Sequence, residues 1–127
     1  MQTTAKAIIF GLIGSAMTIG TALAQQQIRS ADNDFITVRK SGDVTGGAVT
    51  LCLRTQPNMW KKDIRIGGVG TLASENGTQD CTQVNPGFIR FEMIKAKAFG
   101  VMTGVGYGSL DLSQDGGSRV TIFWQSD

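Results

Sequence analysis

Apolar and polar residues alternate with a period of two in three separate runs. In residues 48–54 (AVTLCLR), Val49, Leu51 and Leu53 fall on one side, and Thr50, Cys52 and Arg54 on the other. Residues 88–94 (FIRFEMI) put Ile89, Phe91 and Met93 together, with Arg90 and Glu92 opposite. Residues 119–125 (RVTIFWQ) do the same with Val120, Ile122 and Trp124. Successive side chains of a strand point to opposite faces, so each run predicts a half-buried β-strand. The seven residues Leu51, Leu53, Ile89, Phe91, Met93, Val120 and Ile122 are the predicted core.

Shorter runs predict strands at 35–39, 63–66, 69–73 and 81–84. Turn chemistry separates them: Lys40-Ser41-Gly42-Asp43, Asn85-Pro86-Gly87, and Ser113 through Gly117. Asn76-Gly77 reads as a hairpin turn, because both residues tolerate positive φ. Residues 96–105 are ambiguous. Glycines at 100, 104, 106 and 108 break any long helix, so two strands, 99–103 and 106–112, are preferred. Residues 25–33 are polar and read as a loose arm. The sum is an all-β chain: a small antiparallel β-sandwich or barrel of about seven to eight short strands.

The first 24 residues stand apart from this pattern. Lys6 gives a positive start, residues 7–16 (AIIFGLIGSA) are apolar, and Ala22-Leu23-Ala24 offers small residues for cleavage. This is the pattern of a removed export signal, and its apolar stretch is too short for a convincing membrane span. The expected organisation is a signal peptide at 1–24 and a single all-β domain at 25–127. No later run approaches the length of a membrane helix, so no stable membrane insertion is expected after signal removal. The expected location is the periplasm or the exterior.

Removing 24 of the 127 residues leaves 103, enough for one domain with a modest core. Lys6 is one of the 12 basic residues, so 11 remain against 10 acids. That balance gives no electrostatic footprint for nucleic acid or an anionic membrane. Cys52 and Cys81 are the only cysteines, and an exported chain meets an oxidising compartment. They predict one disulfide.

The chain has no histidine. Ser-His-Asp and Cys-His catalysis are therefore excluded, and zinc loses its commonest nitrogen ligand. No phosphate-cradling Gly-x-x-x-x-Gly-Lys-Ser/Thr occurs. The expectation is no cofactor, no metal site and no enzyme. A carboxylate-dependent hydrolase is the weakest alternative, since a 103-residue domain offers little wall for a cleft. Asp111 through Gly117 faintly resembles a calcium loop, but it lacks regular oxygen ligands and reads better as a capped turn.

The candidate chemistry is aromatic and cationic. The segment from Arg54 to Arg65 gathers Arg54, Lys61, Lys62 and Arg65 around Trp60, which follows a Pro-Asn turn. An exposed tryptophan rimmed by cations suits a sugar ring, an acidic polymer or a partner protein. The competing reading makes Trp60 a plug over the end of the core. Tyr107, between two glycines, is a further candidate contact. Trp124 shares a face with Val120 and Ile122 and reads as core. The leading reading is an exported, non-catalytic binding module for a glycan or an extracellular protein, an enzyme inhibitor included. The alternative is a structural subunit of an extracellular assembly. It would self-assemble through an apolar edge made by Phe99, Val101, Met102 and Val105.

Overall fold

Nine strands and no helix make up the described residues of the computed structural model, which are 26–29, 34–96 and 101–126. The signal segment and Phe99 lie outside them. In chain order the strands are β1 (Gln26–Arg29), β2 (Asp34–Ser41), β3 (Val49–Thr55), β4 (Lys62–Ile66), β5 (Gly70–Ser74), β6 (Gln79–Val84), β7 (Phe88–Ala96), β8 (Met102–Asp111) and β9 (Arg119–Ser126). They form two sheets, ordered β1-β2-β9-β3-β6 and β5-β4-β7-β8. Both sheets have open edges, which makes a sandwich rather than a barrel.

The period-two runs bury the sides the sequence assigned. Leu51, Leu53, Met93, Val120 and Ile122 are fully buried, and Ile89 and Phe91 nearly so. They join Ile36, Val38, Ile64, Ile66 and Trp124 in one apolar cluster between the sheets. Each large side chain removed from water contributes roughly 1.5–3 kcal/mol. The cluster is therefore the main source of stability.

Four expectations need correction. The arm at 25–33 is not wholly loose, because residues 26–29 form β1 and pair antiparallel with β2. Residues 99–103 and 106–112 are not two strands: β8 runs unbroken from Met102 to Asp111. Glycines 104 and 106 flank a register shift, in which Met93 faces Gly106 and Ile94 faces Gly104. Val105 is the extra residue of this bulge, and the bulge absorbs the irregularity that suggested a break. The sandwich is not purely antiparallel, since β3 and β9 pair in parallel.

The fourth correction concerns Asn76-Gly77. Both residues have positive φ, 49° and 79°, as a tight turn requires. The turn does not close a hairpin. It carries the chain from β5 in one sheet to β6 in the other. β6 then pairs with β3, which sets Cys81 directly opposite Cys52. The predicted disulfide forms there, with Cα atoms 4.0 Å apart.

The loop before β9 is a capped turn. Asp111 accepts from the Ser113 N–H at 3.0 Å. Hydrogen bonds from the Ser113 hydroxyl and backbone hold this carboxyl below the usual range. Asp115 is buried and pairs with Lys40 at 3.0 Å. Gly116 packs so close to residues 46 and 47 that an added Cβ would lie 2.8 Å from the Gly47 carbonyl oxygen.

Candidate functional site

Trp60 sits in the connection between β3 and β4 and is 78% exposed. It is not the core plug. Its neighbour Met59 fills that role and is buried in the apolar cluster. One residue thus anchors the loop inward while the next presents an indole to water.

The loop is tied down on every side. The Asn58 N–H donates to Asn76 Oδ1 at 2.8 Å. The Asn76 N–H donates to the Met59 carbonyl at 2.8 Å. Asn58 itself has a φ of 65°, a conformation asparagine tolerates better than most residues. Below the loop, the Thr55 and Ser74 hydroxyls meet at 3.0 Å, and the Thr55 hydroxyl also accepts from the Gly77 N–H at 3.2 Å. The Asn76-Gly77 turn therefore braces the Trp60 loop. Its polar side chains satisfy backbone groups that a loop would otherwise leave to water.

Lys62 supplies the remaining tie. Its side chain is buried, and Nζ donates to the Trp60 carbonyl at 2.8 Å. Burial pushes its pKa down; Asp34 partly offsets this, and the nearby Lys95 adds to it. Asp34 is buried too, accepting from Trp124 Nε1 at 3.0 Å and pairing with Lys95 at 3.5 Å. Lys62 alternates inward with Ile64 and Ile66 on β4. It holds the tryptophan loop from beneath instead of rimming it.

The other candidate residues are dispersed. Lys61 is exposed beside Trp60. Arg54 is exposed on the outer face of the five-stranded sheet, alternating with buried Leu53. Arg65 is exposed on the outer face of the four-stranded sheet, where it pairs with Glu92 at 3.3 Å. The two arginines therefore point away from opposite faces of the sandwich. Tyr107 is 77% exposed and lies across from Glu92 on β8, so it shares a row with Arg65.

A shallow groove of about 380 Å³ runs beside Tyr107, lined by Phe88, Arg90, Phe91, Gly108 and Ser109. Phe88 is 64% exposed. Phe88 and Arg90 are not among the contacts expected from the sequence, although the signal is present there: Phe88 has the parity of Arg90 and Glu92, the polar side of its strand. An aromatic on a polar face is a contact candidate by position alone. Comparison with protein-family models, with curated proteins and with solved structures gives no match.

Proposed function

We propose that this chain is an exported, non-catalytic recognition module that binds a glycan through Trp60. The observation that supports it is an almost fully exposed indole on a loop fixed by its neighbours. Holding an aromatic in water loses the benefit of burying it, and that loss is recovered on stacking against a ligand. A fixed loop also lowers the ordering cost of binding. Sugar rings present an apolar C–H face to the indole and hydroxyls to a nearby cation, here Lys61. Phe88 and Tyr107 are exposed further along the four-stranded sheet, apart from the Trp60 loop. The Cys52–Cys81 bridge and the residues 1–24 together favour export, since disulfides persist in oxidising compartments. An extracellular protein with a pocket for Trp60, an enzyme target included, is the other occupant of the same site.

Tryptophan emission tests the reading, because the two indoles differ so sharply. Trp124 is fully buried and Trp60 stands in water. Stacking on a sugar shifts the Trp60 emission to the blue and leaves Trp124 unchanged. An emission unmoved by a panel spanning neutral hexoses, amino sugars and uronates overturns the glycan reading.

One observation favours a second reading, a subunit joined through strand edges. β8 is ten residues long and ends the order of its sheet, with its first residue, Met102, and the preceding Val101 exposed. Long unprotected edges recruit further strands. Val105 is buried and takes no part in that edge. Sedimentation of the purified chain separates the readings: a monomer supports the module, and a large oligomer that Met102→Lys dissolves supports the subunit.

A further inference from the structure

The near-neutral charge of the chain conceals a sorted surface. The outward positions of the five-stranded sheet follow from its register and burial. On β2 they alternate with buried Ile36 and Val38, on β9 with Val120, Ile122 and Trp124, and on β3 with Leu51 and Leu53. Arg39, Arg119 and Arg54 occupy outward positions on these three strands. Among the described residues, no carboxylate occupies an outward position on the strands of that sheet. The two acids on its strands turn the other way: Asp34 bonds the buried Trp124 indole, and Asp80 accepts from the Ala73 N–H of β5 at 3.1 Å.

Among the described residues, none of the three arginines has an acidic partner. Arg39 stacks over the Phe123 ring, its guanidinium carbon 4.8 Å from the centroid. Arg119 lies against the disulfide, with Nη1 3.2 Å from Cys52 Sγ. Neutral partners orient both guanidiniums and leave most of their N–H donors unused. The other outer face is different. There Asp63, Glu92 and Asp111 alternate with Arg65 and Arg90, and Arg65 is already paired.

We propose that the outer face of the five-stranded sheet binds an acidic polysaccharide, its guanidiniums taking carboxylate or sulfate groups along the polymer. Strand spacing and rise put the Cα atoms of Arg39, Arg119 and Arg54 about 8 to 14 Å from one another, so they meet separate groups of a repeating chain rather than one small anion. Thr121 stands between them, and Thr37, Thr50 and Gln79 flank them, neutral side chains able to hydrogen-bond hydroxyls. Arginine suits these anions because its planar fork binds them with two parallel bonds. Nucleic acid fits less well. Three cations are few for a duplex backbone, and the face offers no freely exposed ring for bases, since Phe123 is half-buried under Arg39. The site does not use Trp60, so it goes beyond the reading above and stands or falls separately.

Retention of the full mature chain on immobilised heparin and polygalacturonate, at about 50 mM salt, tests this. The wild type should bind at least one of the two and elute with salt. The R39Q/R54Q variant should lose about tenfold or more in affinity, with a shallower dependence on salt and an unchanged melting temperature. R65Q/R90Q, on the opposite face, should bind as the wild type does, and so should W60A. If the double variant melts early, Arg54→Gln alone carries the comparison, because Arg54 is exposed. Failure of the wild type to bind either polyanion overturns the proposal. So does equal binding by the Arg39/Arg54 variants, or tighter binding to duplex DNA than to both polysaccharides.

Discussion

The Trp124 indole N–H donates to Asp34 Oδ2 at 3.0 Å, and both residues are buried. The same oxygen pairs with Lys95 of the opposite sheet at 3.5 Å. Asp34 also opposes the downward shift of Lys62, which holds the Trp60 carbonyl. One carboxylate thus satisfies the core tryptophan, crosses the sandwich, and lies beneath the exposed tryptophan's loop.

Asp34→Ala should be among the most damaging single changes. It leaves the buried Trp124 indole N–H without its acceptor and takes from the buried Lys62 the carboxylate that favours its charge. Removing one partner of a buried ionic contact costs about 3–5 kcal/mol, because the remaining charge stays buried. Denaturant unfolding should show that loss. A cost below about 1 kcal/mol would mean that water reaches the lysines freely.

Lys62 predicts a pH dependence with a definite sign. Its pKa in the folded chain lies below the ordinary lysine value of 10.5. Between the two values the unfolded chain binds more protons than the folded one. Stability therefore rises with pH across that window, and the penalty of a buried charge is fully present below it. Lys62→Met lacks the titrating group. The difference in unfolding free energy, wild type minus Lys62→Met, should grow more favourable as pH approaches 10.5. A flat difference contradicts the burial of a charged Nζ.

The disulfide should carry a large share of the net stability. Its partners are 29 residues apart in sequence. The chain-entropy model assigns a loop of that length roughly 3–4 kcal/mol. A Cys52→Ala/Cys81→Ala chain should melt well below the wild type, at about 4–8 °C per kcal/mol for a domain of this size. Intact mass with and without reductant confirms that the wild type carries the bond.

Phe91→Ala tests the core. Phe91 is nearly fully buried between the sheets, and truncating such a ring costs about 3–5 kcal/mol. A melting temperature within a few degrees of the wild type would contradict the packing.

The core was legible because a strand with one buried face writes its alternation into the sequence. Leu51, Phe91 and Ile122 needed no other information. The disulfide was legible because only two cysteines exist. What the sequence hid was pairing between distant segments. Asn76-Gly77 marks a turn equally well whether the chain returns along the same sheet or crosses to the other. Only the hydrogen bonds to Asn58 and Met59 distinguish the two cases. Lys62 read as a rim cation because it adjoins Lys61, yet the parity of β4 turns it inward beside Ile64. Arg54 and Arg65 bracket Trp60 in sequence and part company in space, because β3 and β4 belong to different sheets. The arginine face was invisible for a related reason: its three residues come from strands far apart in the chain, and acids elsewhere cancel their charge in any count.

The most direct test of the central claim is a paired measurement on Trp60→Ala, of its affinity for the glycan that shifts Trp60 emission and of its melting temperature. The account predicts that binding falls by about 2 kcal/mol or more while the melting temperature stays within a few degrees of the wild type, because the proposal assigns the ligand contact to the exposed indole, whereas Met59 fills the core. Undiminished binding, or a melting temperature lowered as far as that of Phe91→Ala, would contradict it.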